Sequence, residues 1–355
     1  MSRMFCRLLA CWVLSGMLVG CSDEPERVAA DVNVSQGVED IASFEATQQA
    51  AEQGDADAQF NLGLMYHKGQ GVAQDYAEAV KWYRLAAEQG NAGAQYGLGV
   101  MYYKGQGVAQ DYVEAVKWYR KAAEQEYAMA QYNLGLMYFN GQGVAQNYAE
   151  AAKWGHKAAE QEYAKAQFSL GLMYHKGQGV AQDYAEAVKW YRRAAEQEHA
   201  TAQNNLGVMY AKGEGVAQDE TEAVKWFQKA AEQGDASGQT SLGAMYGDGR
   251  GVAKDEAKAV KWTQKAAEQG HATAQNNLGL MYDRGRGVAQ NDAEAVKWYR
   301  KAAEQGYAEA QFELGARYFH GRGIAKDEAE AKKWFQKAAD QGHKKAQDTV
   351  RALSR

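Results

Sequence analysis

Proline is nearly missing from this chain of 355 residues: it occurs once, at Pro25, against 38 glycines. Length alone suggests two or three globular domains, yet this imbalance calls instead for glycine at regular structural positions. Cysteine is as scarce, with Cys6, Cys11 and Cys21 making up the full set. That excludes a disulfide framework in the part of the chain that follows. Lysine and arginine nowhere form a block that would track a phosphate backbone, and the formal net charge is -5. No nucleic-acid partner is expected. The spacings Ser-x-x-Lys, Gly-x-Ser-x-Gly and His-Glu-x-x-His and a phosphate loop are all absent, so the sequence points to no enzyme and to no cofactor. What is plentiful is apolar surface: with 46% hydrophobic and 24% charged residues, the chain has a substantial core to bury.

The first 20 residues differ from all that follow: Arg3 and Arg7 precede an apolar run, Leu8 to Leu18, and then Val19, Gly20 and Cys21. At about 11 residues the run is too short to span a bilayer, which takes roughly 20. Residues 1–20 therefore read as a secretory signal. Leu18-Val19-Gly20-Cys21 resembles the bacterial lipobox, which implies cleavage before Cys21 and lipid attachment to it. The alternative is an ordinary signal peptide with an incidental cysteine. Cleavage removes Arg3 and Arg7 and no acidic residue, leaving 38 basic against 45 acidic residues and a net charge of -7. Polar, acidic residues without helical periodicity follow, so 21–38 is expected to be an acylated cysteine and a flexible tether. The expected location is a bacterial cell envelope, with the outer membrane as anchor, facing the periplasm or the surface.

Repetition organises the rest. Trp82, Trp118, Trp154, Trp190, Trp226, Trp262, Trp298 and Trp334 are each 36 residues apart, and Leu-Gly pairs from Leu62 to Leu314 keep the same step. Eight repeats run over 55–342. In the first, Ala58, Leu62, Met65 and Tyr66 form a helical stripe, predicting helix A from Ala56 to about Lys68. Gly69 and Gly71 permit a tight reversal. Asp75 is placed to cap helix B, with Glu78 returning the bond as a capping box; the pattern recurs in seven of eight repeats, Asp255 with Lys258 being the exception. Ala79, Trp82, Ala86 and Ala87 give helix B its stripe, and Gly90 ends it. A hairpin cannot bury both stripes alone, so neighbours must stack. Half repeats at 39–54 and 343–355 are expected to be cap helices.

The spacing Ala-x-x-x-Leu-Gly-x-x-Tyr-x-x-Gly-x-Gly-Val-x-x-Asp-x-x-x-Ala-x-x-Trp-x-x-x-Ala-Ala-x-x-Gly, from Ala58 to Gly90, resembles the Sel-1-like repeat family, relatives of the tetratricopeptide repeat. The resemblance covers the chain from about residue 39 onward. It implies an all-α, right-handed α-solenoid whose concave face is lined by the A helices, and a scaffold or adaptor role. Some cysteine-rich members are associated with β-lactam binding or hydrolysis, but those are stapled by a disulfide in each repeat, which this chain lacks. Glu126, Glu162 and Glu198 stand where the pattern has its terminating glycine, and Gly155 with His156 replaces Tyr-Arg after Trp154. Each glutamate is expected to cost about 1 kcal/mol if the left-handed conformation is kept.

Three groups of residues carry possible chemistry. His67 and His175 share one repeat position and His199, His271 and His343 another, but no two fall at i, i+4, so solvent-facing histidines are expected and no metal site. Lys68, Lys104, Lys176, Lys212 and Arg284, with Arg250, Arg286 and Arg322 nearby, mark the turns; a basic edge for anionic partners competes with a plain solvated surface. On helix A, at about 100° per residue from Leu62, the positions of Asp57, Phe60, Leu64 and His67 point away from the core. By resemblance to tetratricopeptide repeats these face the ligand. Their contents pair as Phe60 with His67, Tyr96 with Tyr103, Tyr132 with Phe139 and Phe168 with His175, then turn to Asn204 with Ala211, Thr240 with Gly247 and Asn276 with Asp283, and return to Phe312 with Phe319. The expectation is a protein- or peptide-binding stripe, with Leu64, Val100, Leu136 and Leu172 favouring an apolar peptide over an envelope polysaccharide. The competing expectation is that curvature buries part of it between neighbouring A helices.

The anchor is directly testable. Cys21→Ser should leave the protein uncleaved or shift it out of the membrane fraction, because acylation supplies most of the membrane affinity. Unchanged fractionation and unchanged lipid labelling would remove the lipoprotein assignment.

Overall fold

The computed structural model describes residues 34–353, with side chains from residue 43 onward, so the signal segment, Cys21 and most of the expected tether lie outside the described residues. Among the described residues all regular structure is helical. The helix α1 (Val34–Glu52) is followed by the hairpins α2 (Ala56–Lys68) with α3 (Tyr76–Glu88), α4 (Ala92–Lys104) with α5 (Tyr112–Glu124), α6 (Ala128–Asn140) with α7 (Tyr148–Glu160), and α8 (Ala164–Lys176) with α9 (Tyr184–Glu196). Then come α10 (Ala200–Lys212) with α11 (Glu220–Glu232), α12 (Ala236–Asp248) with α13 (Glu256–Glu268), α14 (Ala272–Arg284) with α15 (Asp292–Glu304), α16 (Ala308–His320) with α17 (Glu328–Asp340), and finally α18 (Lys344–Leu353). Hairpin packed on hairpin makes an α-solenoid, and the chain divides into two compact units at Arg193 and Ala194. The first helix begins at Val34 rather than at 39, so residues 34–38 of the expected tether are helical.

Within a hairpin the turn chemistry is specific. Gly69 adopts φ +69° and its N–H donates to the Met65 carbonyl, ending α2 in a left-handed cap. Asp75 then accepts from the N–H groups of Ala77 at 2.8 Å and Glu78 at 3.0 Å, starting α3. The expected reciprocal capping box does not form. The Asp75 N–H instead donates to the Tyr66 carbonyl at 3.0 Å, a bond repeated in all eight hairpins, while Glu78 pairs with Lys81. Tertiary closure thus satisfies the amide that a local side chain was expected to serve. The second turn glycine serves the neighbour: a Cβ on Gly107 would overlap the Tyr76 carbonyl oxygen of the preceding hairpin.

Packing depends on a residue that the helical stripe had not included. Tyr83, next to Trp82, is the buried ring of α3, and a Cβ on Gly63 would sit 2.7 Å from its Cδ1. The missing side chain on α2 is the slot that the ring fills. Gly99 with Tyr119, Gly171 with Tyr191, Gly207 with Phe227, Gly279 with Tyr299 and Gly315 with Phe335 repeat the arrangement. The tryptophan works between hairpins: Trp118 joins the core of Ala79, Val80, Tyr83 and Leu98, with Lys121 Nζ 4.4 Å from its ring centre. A buried glutamine completes the joint. Gln95 Nε2 donates to the Ala87 carbonyl at 3.2 Å and its Oε1 accepts from Gln125 Nε2 at 2.8 Å, tying three successive helices together. Equivalent glutamines recur along both units, each donating to a carbonyl of the preceding B helix or of α1.

The three glutamates do take left-handed backbone, with φ of 64° at Glu126, 60° at Glu162 and 63° at Glu198. Glu126→Gly should therefore stabilise by about 1 kcal/mol. Trp118→Ala should cost about 3 to 5 kcal/mol, since it empties the joint between two hairpins. Urea unfolding measures both; a tryptophan variant within about 1 kcal/mol of wild type would show that the joint does not depend on the indole.

Candidate partner-binding face

All ten rings expected on the ligand side of the A helices are half-buried. The reason is the slot: the ring passing the A-helix glycine reaches the next turn and meets its aromatic residue. Phe60 lies 5.9 Å from Tyr83, Tyr96 5.9 Å from Tyr119, Phe168 5.9 Å from Tyr191 and Phe312 5.5 Å from Phe335. The second row leans on the first residue of helix B, with His67 5.5 Å from Tyr76, Tyr103 5.4 Å from Tyr112, Phe139 4.9 Å from Tyr148 and His175 5.3 Å from Tyr184. Phe319 is 6.5 Å from Phe335. Rather than pointing away from the core, each ring is packed on one side, Tyr132 on Tyr163 at 5.3 Å and the others on their own hairpins, with the remainder in solvent. Leu64, Val100 and Leu136 are also half-buried, and Leu172 is fully buried.

The second row extends outward through residues that the sequence reading overlooked. Tyr148 and Tyr184 are each 37% exposed, among the few large apolar side chains that are. The signal was present in the repeat frame: the residue after the helix B cap is Tyr76, Tyr112, Tyr148 and Tyr184 in repeats one to four, and Glu220, Glu256, Asp292 and Glu328 in repeats five to eight.

In repeats five to seven the same face is closed and polar. Asn204, Thr240 and Asn276 are buried. Thr240 Oγ1 donates to the Ala236 carbonyl at 2.7 Å and lies 3.1 Å from His271 Nδ1, while Ser241 Oγ donates to Asn204 Oδ1 at 3.1 Å. Arg317 stands where the seven earlier repeats have methionine, and it is 4% exposed. Its Nη2 lies 2.5 Å from Asp283 and its Nη1 3.2 Å from Asp292, with Arg322 reaching both carboxylates. Burial opposes the Arg317 charge, but the Asp283 hydrogen bond and charge outweigh it and raise its proton affinity. Two of the turn arginines also pair within the protein: Arg250 binds Glu220 at 2.6 Å and Arg286 approaches Glu256 at 3.9 Å.

The histidines expected to face solvent are all half-buried, and two of them cap helices. His199 Nδ1 and His343 Nδ1 accept from the N–H groups of Ala202 and Ala346, capping helices, and His343 also meets Glu309 at 2.9 Å. Among the described residues no three His, Cys, Asp or Glu side chains gather to hold a metal ion, and no helix is long and apolar enough to cross a membrane.

Stacked hairpins of this geometry define a helical repeat protein. The Sel1 repeat model matches residues 56–91, 92–127, 128–163, 164–199, 200–235, 236–271, 272–307 and 308–343, and the chain belongs to the Sel1 repeat family. It is 42% identical to a protective antigen of uropathogenic Escherichia coli with an SLR fold, over 87% of this chain and 67% of that one, with a TM-score of 0.77. It is 32% identical to a Sel1 repeat protein from Oxalobacter formigenes, over 95% of this chain and 98% of that one, with a TM-score of 0.68. No curated protein matches it. Sel1 repeat proteins are generally protein-interaction scaffolds and typically not catalysts.

Two buried histidines give the fold a pH dependence. Burial holds His156 and His271 below the ordinary imidazole range, with Glu160 and Glu186 opposing that at His156 and Asp235 at His271. The unfolded chain therefore takes up these protons at higher pH than the folded one. Stability is full above about pH 6.5 and falls as the pH drops below it. Thermal unfolding at pH 7.5 and 5.5 should show a lower Tm at 5.5, with the gap narrowed in a His156→Gln, His271→Gln variant. A Tm that is level or rises on acidification through this window would contradict it.

Proposed function

We propose that this protein is a non-catalytic scaffold, lipid-anchored in a bacterial envelope through Cys21, that binds a protein or peptide on the A-helix face of its first four repeats. The observation that carries the reading is the contrast between repeats: half-exposed rings backed by exposed Tyr148 and Tyr184 in the first four, buried Asn204, Thr240 and Asn276 in repeats five to seven, with rings returning only at Phe312 and Phe319 in the last. Rings fixed on one side by their hairpin are pre-ordered, so little side-chain entropy is lost when the other side is covered. Half-buried Leu64, Val100 and Leu136 beside them favour an apolar peptide surface over a sugar polymer. The similar Escherichia coli protein is a protective antigen, which supports placement at the envelope.

Because the ten rings also pack on the hairpins, truncating them would disturb folding and binding together. The cleaner variant is Tyr148→Glu with Tyr184→Glu. Peptides selected from a random display library on the purified protein should lose at least about tenfold in affinity for it, as aromatic hot spots of roughly 2 kcal/mol require. Helical content and Tm should stay near wild type. If selection yields no peptide and a glycan array yields a ligand, the polysaccharide reading replaces this one.

A further inference from the structure

Six hairpins close on an aromatic ring set past the A-helix glycine: Tyr83, Tyr119, Tyr191, Phe227, Tyr299 and Phe335. Two do not. Thr263 takes the place in one, and its Oγ1 would lie 2.6 Å from a Cβ on Gly243, so that slot is occupied. Gly155 takes it in the other and is buried, yet a Cβ added there would meet no atom within 4 Å. The facing Gly135 would find the Ala151 carbonyl oxygen at 3.2 Å, Gly155 N at 3.5 Å and Trp154 Cβ at 3.7 Å, with no ring atom nearer than these; Gly99 and Gly171 meet ring carbons of Tyr119 and Tyr191 at 2.6 Å. The slot on α6 is cut for a ring that α7 does not supply. A glycine in mid-helix is also a costly choice where an alanine would fit.

The surroundings match the filled slots. Ser169 on α8 stands at the repeat position of Gly97, whose Cβ would lie 3.3 Å from the Tyr83 ring, so it forms the far wall. Tyr132 stands where Phe60, Tyr96 and Phe168 each lie 5.9 Å from the inserted ring. Its hydroxyl is 3.4 Å from Ser169 Oγ, and its ring lies 5.3 Å from Tyr163 and packs on the cluster of Ala158, Ala159, Ala166, Leu170 and Trp190, so its side chain reaches from α6 to α8. Tyr132 itself is half-buried on the A-helix face.

We infer that this slot binds one six-membered aromatic ring, the side chain of a tyrosine or phenylalanine in the bound polypeptide; the source of the ring rests on the function proposed above. The sister hairpins show what fits, four times tyrosine and twice phenylalanine. Ser169 and Tyr132 put hydroxyl groups at the rim, within reach of a phenol. A ring entering a pre-cut apolar slot needs no rearrangement of the backbone, and aromatic anchors in such pockets commonly dominate binding.

The test uses p-cresol and toluene, the side chains of tyrosine and phenylalanine, on the full chain. Both should cause saturable NMR shifts at the amides of Gly135, Gly155 and Ser169, lost in Gly155→Phe. That variant should also melt higher than wild type, because the ring restores the packing of the sister hairpins. Gly155→Leu serves if the phenylalanine variant does not fold. Library-selected peptides should carry one aromatic residue whose replacement by alanine weakens binding at least tenfold, and Gly155→Phe should weaken them equally. Absence of saturable shifts with both probes means the slot is closed and overturns the inference. Peptides that bind wild type and Gly155→Phe alike overturn it too, while leaving the scaffold reading intact; failure to select any peptide overturns both.

Discussion

The distance between the two helices of each hairpin is set by one contact, a ring lying against a glycine. With Tyr83 Cδ1 only 2.7 Å from where a Gly63 Cβ would be, no other residue fits opposite an aromatic side chain at this spacing. Once the ring is seated, its neighbours have little freedom. The Trp82 position turns toward the adjacent hairpin, the buried glutamine finds a carbonyl on one side and an amide on the other, and the next A-helix ring is pushed half into solvent. Core and candidate face are therefore two sides of one constraint, which is why the face cannot be deleted without touching the core.

Much of this was legible in the sequence because a strict 36-residue period turns each position into eight parallel observations. The helix bounds Ala56–Lys68, the left-handed Gly69 and the Asp75 cap follow from local chemistry that needs no neighbour. What the sequence hid is what depends on contact. Trp82 and Tyr83 are adjacent, about 100° apart, so helical spacing cannot assign one to the hairpin and the other to the joint. Whether the Asp75 amide is served by Glu78 or by the Tyr66 carbonyl is decided by how closely the hairpin shuts. Outward-pointing positions on one helix were read as exposed, but exposure is a property of the stack, and the ring of Tyr83 reaches them.

Other residues were visible without being interpretable. Arg317 breaks a run of seven methionines and Asp283 breaks a row of rings, aromatic side chains and small residues, and neither means much alone. They lie 34 positions apart and meet as a buried pair. Removing one partner of such a pair leaves an uncompensated charge, at a cost of about 3 to 5 kcal/mol, whereas both together are close to neutral against an apolar pair. The two departures from the repeat make physical sense only as one substitution made in two places.

A repeat protein can vary only where its frame is indifferent, and that turns departures into information of two kinds. Departures that are compensated, such as Arg317 by Asp283 or Thr263, which still fills the slot at Gly243, rebuild the frame with other chemistry. Departures without compensation leave something unfilled. The change from tyrosine to acid after the helix B cap, between repeats four and five, leaves Tyr148 and Tyr184 exposed on one unit, whereas Glu220 and Asp292 on the other are held by arginines. Gly155 facing Gly135 leaves a slot without a ring. Both fall in the first unit, beside the candidate face, where an external side chain would supply the apolar surface that the chain's own residues do not.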